Sequence, residues 1–360
     1  MRATILTIYL ALRRILLFCA GLFLGRRVSR PGPPDRILVI RWDRIGDMVL
    51  STPVFQALRS TYPDAAIDVL ASSSNAPIVE DHPAVDEVIV WQGRTRSIWS
   101  RGSLNALRDL REKEYELVVD LLIDWPVSTA LLAALIAPQR IGFSDHGKGG
   151  LYTRRGPRSD RRVHLLANNT RLLKTLNIDA SGILPSLAVP RISPPFKLKR
   201  VGIHPGGFYE SQRWPVTRWV ELAGELLNSG DIESVCLIPD PADESDLAVL
   251  WKERVPGAMI SSPADIGALV HEIARFDVLL CNNSGPLHIA GAVGVPTLST
   301  LGPTNPDMWW PVGERQVVVQ SATRSVDDIC VPDMLEGWEI LKDECRRSDR
   351  SDESISHDPE

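Results

Sequence analysis

Residues 276–306 read FDVLLCNNSGPLHIAGAVGVPTLSTLGPTNP. The apolar run at 277–281 predicts a strand buried on both faces, and Asn282-Asn283-Ser284-Gly285-Pro286 turns it into a helix. That helix is rich in small residues (Ala290, Gly291, Ala292, Gly294), which let it lie close on a sheet. Val295-Pro296-Thr297 leads into a further strand and the loop Gly302-Pro303-Thr304-Asn305-Pro306. Strand, helix and strand in this order predict a parallel sheet. The first-turn amides of such a helix face any ligand beyond the strand ends, which makes the Asn283-Ser284-Gly285 turn and His288 candidates for a ligand site. The same residues also fit plain helix capping, and His288 a satisfied core histidine.

The rhythm extends outward in both directions. Short apolar runs at 37–40, 88–91, 117–123 and 235–238 read as buried strands, and Leu104, Leu107, Leu110, Leu222 and Leu226 have helical spacing. The pattern pauses once, at PRISPPFKLKR (190–200), which has three prolines and no periodicity. The expected architecture is therefore α/β: two Rossmann-like doubly wound domains, at 35–190 and 200–325, facing across a cleft that holds the active site. A C-terminal helix at 326–346 and a disordered acidic tail at 347–360 complete the expectation. The length of 360 residues suits two domains, and 44% hydrophobic with 24% charged residues excludes disorder and collagen. Five scattered cysteines without a CxxC pair argue against disulfides or a zinc site, and no metal is expected.

Two more loops follow strands. After the first comes Arg41-Trp42-Asp43-Arg44-Ile45-Gly46-Asp47, where Asp47 either caps a helix or projects as a functional carboxylate. Pro53 marks a kink or a second helix start. After the first strand of the second half comes His204-Pro205-Gly206-Gly207, then Gln212-Arg213-Trp214-Pro215 and a helix from about 216. A glycine-rich loop between strand and helix is a generic phosphate cradle.

Charge is uneven. The net charge is −5, which shows no bias toward nucleic acid, yet residues 1–30 hold six arginines and no acid, leaving the remaining 330 at −11. Residues 4–24 (TILTIYLALRRILLFCAGLFL) are apolar apart from Arg13 and Arg14. Three readings fit them: an amphipathic helix on an anionic membrane surface, a single span, or an exported leader. No small-x-small cleavage site follows, and Pro31-Gly32-Pro33-Pro34 then spaces the segment from the body.

The blocks ILVIRWDRIGDMVLSTPVFQALRSTYPDAAIDVLAS (37–72), VGIHPGGFYESQRWPVTRWVELAGELL (201–227) and FDVLLCNNSGPLHIAGAVGVPTLSTLGPTNP (276–306) occur in order, and over about residues 36–345 the chain resembles glycosyltransferase family 9, the ADP-heptose:lipopolysaccharide heptosyltransferases. The resemblance implies a GT-B fold with an acceptor-binding N-terminal half and a nucleotide-sugar-binding C-terminal half. It implies inverting transfer, without an obligatory metal or cofactor, to a lipopolysaccharide-core or other lipid-linked glycan at the cytoplasmic face of the inner membrane. Asp47 matches the family's Gly-Asp motif and would be the general base. Gly207, Gln212, Arg213, Asn283, Ser284, Gly285, Leu287, His288 and Thr304 would serve the donor, and Glu244 matches a family acid that contacts the nucleotide ribose. Two positions depart from the family pattern: Gln212 stands where Lys is usual, and Asn283 where Asp is usual, so an altered donor or a non-catalytic nucleotide-sugar binder is the alternative. An epimerase with similar twin domains is disfavoured by the Gly-Asp and SGPLH blocks. Arg44, Arg154 and Arg155 are acceptor candidates; the last two lie in KGGLYTRRGPRSDRRVH (148–164), which is either a solvated loop or a grip on phosphates and acidic sugars.

Overall fold

The computed structural model describes residues 32–91, 101–123, 127–190, 198–240, 244–255 and 257–355. It divides into two compact units, Met1–Ile183 and Leu184–Glu360. The division falls just ahead of the proline-rich stretch at 190–200, so the second unit begins earlier than the sequence pattern suggests.

The first unit runs β1 (Arg36–Ile40), α1 (Ile45–Val49), α2 (Thr52–Thr61), β2 (Ala66–Ala71), β3 (Glu87–Val90), α3 (Arg101–Glu112), β4 (Leu117–Asp120), α4 (Val127–Ile136), β5 (Gln139–Gly142), β6 (Arg154–Arg155) and α5 (Leu165–Leu173). Its strands form one parallel sheet in the order β3-β2-β1-β4-β5-β6. The second unit runs β7 (Arg200–His204), α6 (Val216–Asn228), β8 (Ser234–Leu237), α7 (Glu244–Arg254), β9 (Met259–Ile260), α8 (Ile266–Ile273), β10 (Val278–Asn282), α9 (Gly285–Ala292), β11 (Thr297–Leu301), α10 (Pro306–Trp309), β12 (Gln316–Gln320) and α11 (Val331–Ile355). Its sheet order, β12-β11-β10-β7-β8-β9, is the same topology repeated. In register, Val39 of β1 pairs with Val69 and Val119, and Ile203 of β7 pairs with Leu237 and Leu280.

Continuous apolar runs work as central strands because helices cover both faces of such sheets. Ile37, Leu38, Val39 and Ile40 are fully buried, as are Val278, Leu279, Leu280 and Cys281. Each such side chain contributes roughly 1.5–3 kcal/mol by leaving water. The second unit's core is anchored by buried Trp214, Trp219, Trp251 and Trp338. Gly291 lets α9 pack tightly, since a Cβ there would stand 2.1 Å from the Val312 carbonyl oxygen.

Two expectations change at the elements. The run at 117–123 is a strand only to Asp120, whose carboxylate turns back to accept from the Leu122 amide at 3.0 Å and from the Tyr152 hydroxyl at 2.6 Å. The C-terminal helix, expected to end at 346 before a disordered tail, instead runs to Ile355. Met334, Trp338, Leu341 and Cys345 bury one stripe of it, and a helix nucleated by packing propagates at little cost. Among the described residues no helix is long and apolar enough to cross a membrane. The segment 4–24 lies outside them.

Candidate active site

In a doubly wound sheet, ligands bind beyond the carboxyl ends of the strands where strand order reverses. In the first unit that point lies between β1 and β4, and the chain leaving β1 carries Arg41, Asp43, Arg44 and Asp47. Asp47 is not the cap of α1. The N-cap is Arg44, and Asp47 sits in the first turn, only 3% exposed, where the helix dipole favours a negative charge. Thr52 and Pro53 start a second helix rather than kinking the first.

Arg41 organises this loop from within. It is 1% exposed, and its guanidinium donates to Ser51 Oγ at 2.9 Å, Asp43 Oδ2 at 3.0 Å and Asn169 Oδ1 at 3.4 Å. Ser51 Oγ donates to the Asp47 carbonyl at 2.7 Å, and Asn169 Nδ2 to the Leu50 carbonyl at 3.4 Å. The loop and both ends of α1 are therefore fixed from three directions. The Arg44 guanidinium stands 3.4 Å from Asp47 Oδ2 and is half exposed. Asp47 Oδ1 and Asp43 Oδ1 are buried and take no hydrogen from any described N–H or O–H donor, while the two carboxyls lie within hydrogen-bonding reach of each other. Burial and then the Asp43 charge push the Asp47 carboxyl up to about 7, outweighing the opposite pull of Arg41 and Arg44.

The second unit reverses its strand order between β7 and β10. Here the structure brings together much of the expected donor set. Gln212 Nε2 donates to Thr304 Oγ1 at 2.8 Å, joining the loops after β7 and β11. Asn283 is buried and donates to the Trp309 carbonyl at 3.1 Å. Ser284 is the N-cap of α9 but places no side-chain cap; its hydroxyl donates back to the Asn282 carbonyl at 3.3 Å. Gly285 opens α9, with the Leu287 amide turned to the Ser284 carbonyl at 3.2 Å and His288 buried one residue on.

The glycine-rich loop differs from an empty phosphate cradle. The Gly206 amide donates to His204 Nδ1 at 3.1 Å and the Gly207 amide to Asp240 Oδ2 at 3.2 Å. Asp240 also takes Arg213 Nη2 at 3.3 Å, while Arg213 Nε donates to the Gly207 carbonyl at 2.8 Å. An internal carboxylate thus occupies donors that the pattern assigned to phosphate. Burial, against the opposing pull of the Asp240 charge and with help from Arg213, holds the His204 imidazole down at about 4, so it is neutral and accepts at Nδ1.

Two expected residues stand apart. Arg154 and Arg155 are exposed on edge strand β6, three strand spacings or roughly 14 Å from β1, and are not brought to Asp47. Among the described residues, Arg154 donates to the Thr175 carbonyl at 3.5 Å. Lys148, in the same basic stretch, is fully buried and donates to the Leu122 carbonyl at 2.6 Å. Glu244 opens α7, and its side chain lies outside the described residues.

Sequence reasoning missed Asn282, Asp240, Arg41 and Asp43. Asn282 is fully buried with all its hydrogen-bonding capacity used: Oδ1 accepts from the Trp214 amide at 3.0 Å and Thr300 Oγ1 at 2.8 Å, and Nδ2 donates to the carbonyls of Pro205 at 2.7 Å and Gly206 at 3.0 Å. It ties the β7 loop to the end of β10. An amide at the last position of a buried apolar strand was the only signal.

Residues 104–338 match the model of glycosyltransferase family 9 (heptosyltransferase). The chain belongs to glycosyltransferase family 9. It is 27% identical over 319 residues to lipopolysaccharide heptosyltransferase 2 of Salmonella typhimurium, covering 80% of this chain and 88% of that one. The solved structure of E. coli ADP-heptose lipopolysaccharide heptosyltransferase II superposes with a TM-score of 0.71 at 25% identity, covering 85% of this chain and 98% of that one. A family 9 glycosyltransferase from Veillonella parvula gives 0.74 at 22% identity, covering 85% and 97%. The paired six-stranded parallel sheets are those of the GT-B glycosyltransferases, and this family 9 member is a glycosyltransferase enzyme.

Proposed function

We propose that this enzyme transfers a heptose from ADP-heptose to the core of a lipopolysaccharide, with Asp47 as general base. The observation that carries the reading is the Asp47 carboxylate, buried at the β1 switch point on a loop that Arg41 holds through Asp43 and Ser51; burial pushes it up to about 7. A base with its pKa close to the working pH is ionised often enough to act and basic enough to take a hydroxyl proton. The sugar and acceptor come from the names of the relatives, which are ADP-heptose and lipopolysaccharide enzymes.

The acceptor oxygen attacks the anomeric carbon as Asp47 takes its proton, and the nucleoside diphosphate leaves from the opposite face, inverting the centre. Arg44, half exposed beside Asp47, orients the acceptor's acidic groups. Charge developing on the leaving diphosphate is met by the first turn of α9, by Arg213, and by the polar bridge of Gln212 and Thr304. Gln212 supplies hydrogen bonds where the family usually supplies a lysine charge, and Asn283 does so in place of aspartate. The reading needs no resident metal or cofactor, and it places the enzyme at the inner face of the inner membrane, held to anionic lipid through residues 1–30.

Purified enzyme, ADP-heptose and core lipid lacking heptose, followed by mass spectrometry, test the proposal. A gain of one heptose residue, unchanged by EDTA, is expected. Turnover only with a different sugar nucleotide, or donor binding with no transfer to any core lipid, contradicts it.

A further inference from the structure

The mechanism above uses one carboxylate at the β1 loop, but the loop holds two. Asp43 and Asp47 lie within hydrogen-bonding reach, and each has an Oδ1 buried from solvent that receives no hydrogen from a described donor. Two carboxylate oxygens cannot donate to each other unless one carries a proton. The remaining oxygens are accounted for differently: Asp43 Oδ2 takes the Arg41 guanidinium at 3.0 Å, and Asp47 Oδ2 faces Arg44 at 3.4 Å. Arg41 is buried and cannot move away, because Ser51 and Asn169 hold its other nitrogens. Asp43 is thus anchored on one side and presented to the base on the other.

We infer that Asp43 is a positioning residue for the transfer reaction, holding Asp47 through one shared proton and strengthening it as a base once that proton is gone. The inference rests on the assignment of Asp47 as the base. With the proton in place, the pair carries a single negative charge and is well satisfied between Arg41 and Arg44. When it leaves, two like charges remain side by side, and Asp47 gains by taking a proton back. The acceptor hydroxyl supplies that proton: its O–H bond breaks toward Asp47, its oxygen bonds to the anomeric carbon, and the bond from that carbon to the donor phosphate breaks with its electron pair on the diphosphate. The pair then returns the proton to water after the products leave. The elevation of Asp47 to about 7, with the Asp43 charge as its second cause after burial, agrees with this geometry. The charged groups facing the pair are Arg41 and Arg44, with Asn169 the neutral partner from α5.

The test is the pH profile of kcat/KM from 5 to 9 for the wild type, Asp43→Asn, Asp43→Ser and Asp43→Glu. Asparagine keeps an oxygen for Arg41 and changes only the charge, so a merely structural role leaves the profile in place. The expected wild-type profile rises through about 7. In Asp43→Asn the rise moves down by at least about one pH unit, and the alkaline plateau falls at least about three-fold because the base is weaker. Asp43→Ser shows the same shift if the asparagine variant does not fold, and Asp43→Glu keeps the rise near the wild-type position. A folded Asp43→Asn or Asp43→Ser enzyme that rises where the wild type does overturns the inference, as does a wild-type profile flat between 6 and 8. Asp47→Ala, measured alongside, separates the two readings. Full transfer by that variant removes the base assignment itself, whereas its loss together with an unmoved Asp43→Asn profile removes only the role of Asp43.

Discussion

A carboxyl group buried at a strand end and held near 7 must lower the stability of the fold at neutral pH, and Asp47 does so for the sake of its position. Below about 4 the folded and unfolded chains both hold its proton. Between about 4 and 7 only the folded chain keeps it, so the contribution of Asp47 to stability falls as pH rises through that window and is level above it. Asp47→Asn, neutral at every pH, escapes this loss. Its thermal midpoint relative to wild type is expected to be higher at pH 8 than at pH 5, by an amount corresponding to the order of a few kcal/mol. Paired melting curves at the two pH values check the sign. The sequence singled out Asp47 as either a helix cap or a functional carboxylate, and only its match to the family's Gly-Asp motif favoured the second. Arg41 and Asp43 were not legible there, since their roles depend on Ser51 and on Asn169, 128 residues downstream of Arg41, and no local spacing reports such contacts.

The elements were read correctly where strand and helix differ in period and length. The small-residue helix α9, its flanking strands and the helix from Val216 follow directly from that contrast. What the pattern did not carry is which donors remain for a ligand. The glycine-rich loop after β7 looks like a phosphate cradle, yet Asp240 and His204 take its two glycine amides. The loop's shape also rests on a side chain from another element, Asn282. Replacing it with alanine strands four buried partners, and Asn282→Ala is expected to destabilise the second unit by about 2–4 kcal/mol. Urea unfolding followed by tryptophan fluorescence reads this directly, because Trp214 is both a partner of Asn282 and part of the core. The length of α11 was misjudged for a related reason: the sequence beyond 345 carries no apolar stripe to announce a helix.

At the scale of the whole molecule, two copies of one strand order account for the family and the fold. This level was the most legible, since parallel sheets covered by helices force continuous apolar runs that are visible in the chain. The basic apolar segment at 1–30 was equally visible and lies outside the described residues. If it holds the enzyme at the bilayer, the full chain sediments with vesicles containing anionic lipid, and a chain starting at Pro34 stays in the supernatant while retaining transfer to a water-soluble core acceptor. The central claim is that this family 9 enzyme draws its acceptor proton onto Asp47. Its most direct test is Asp47→Ala assayed with ADP-heptose and core lipid, with donor affinity measured by calorimetry on the same preparation. The expected result is a loss of transfer of at least about 100-fold with donor affinity within a few-fold of wild type; transfer within a few-fold of wild type contradicts the account.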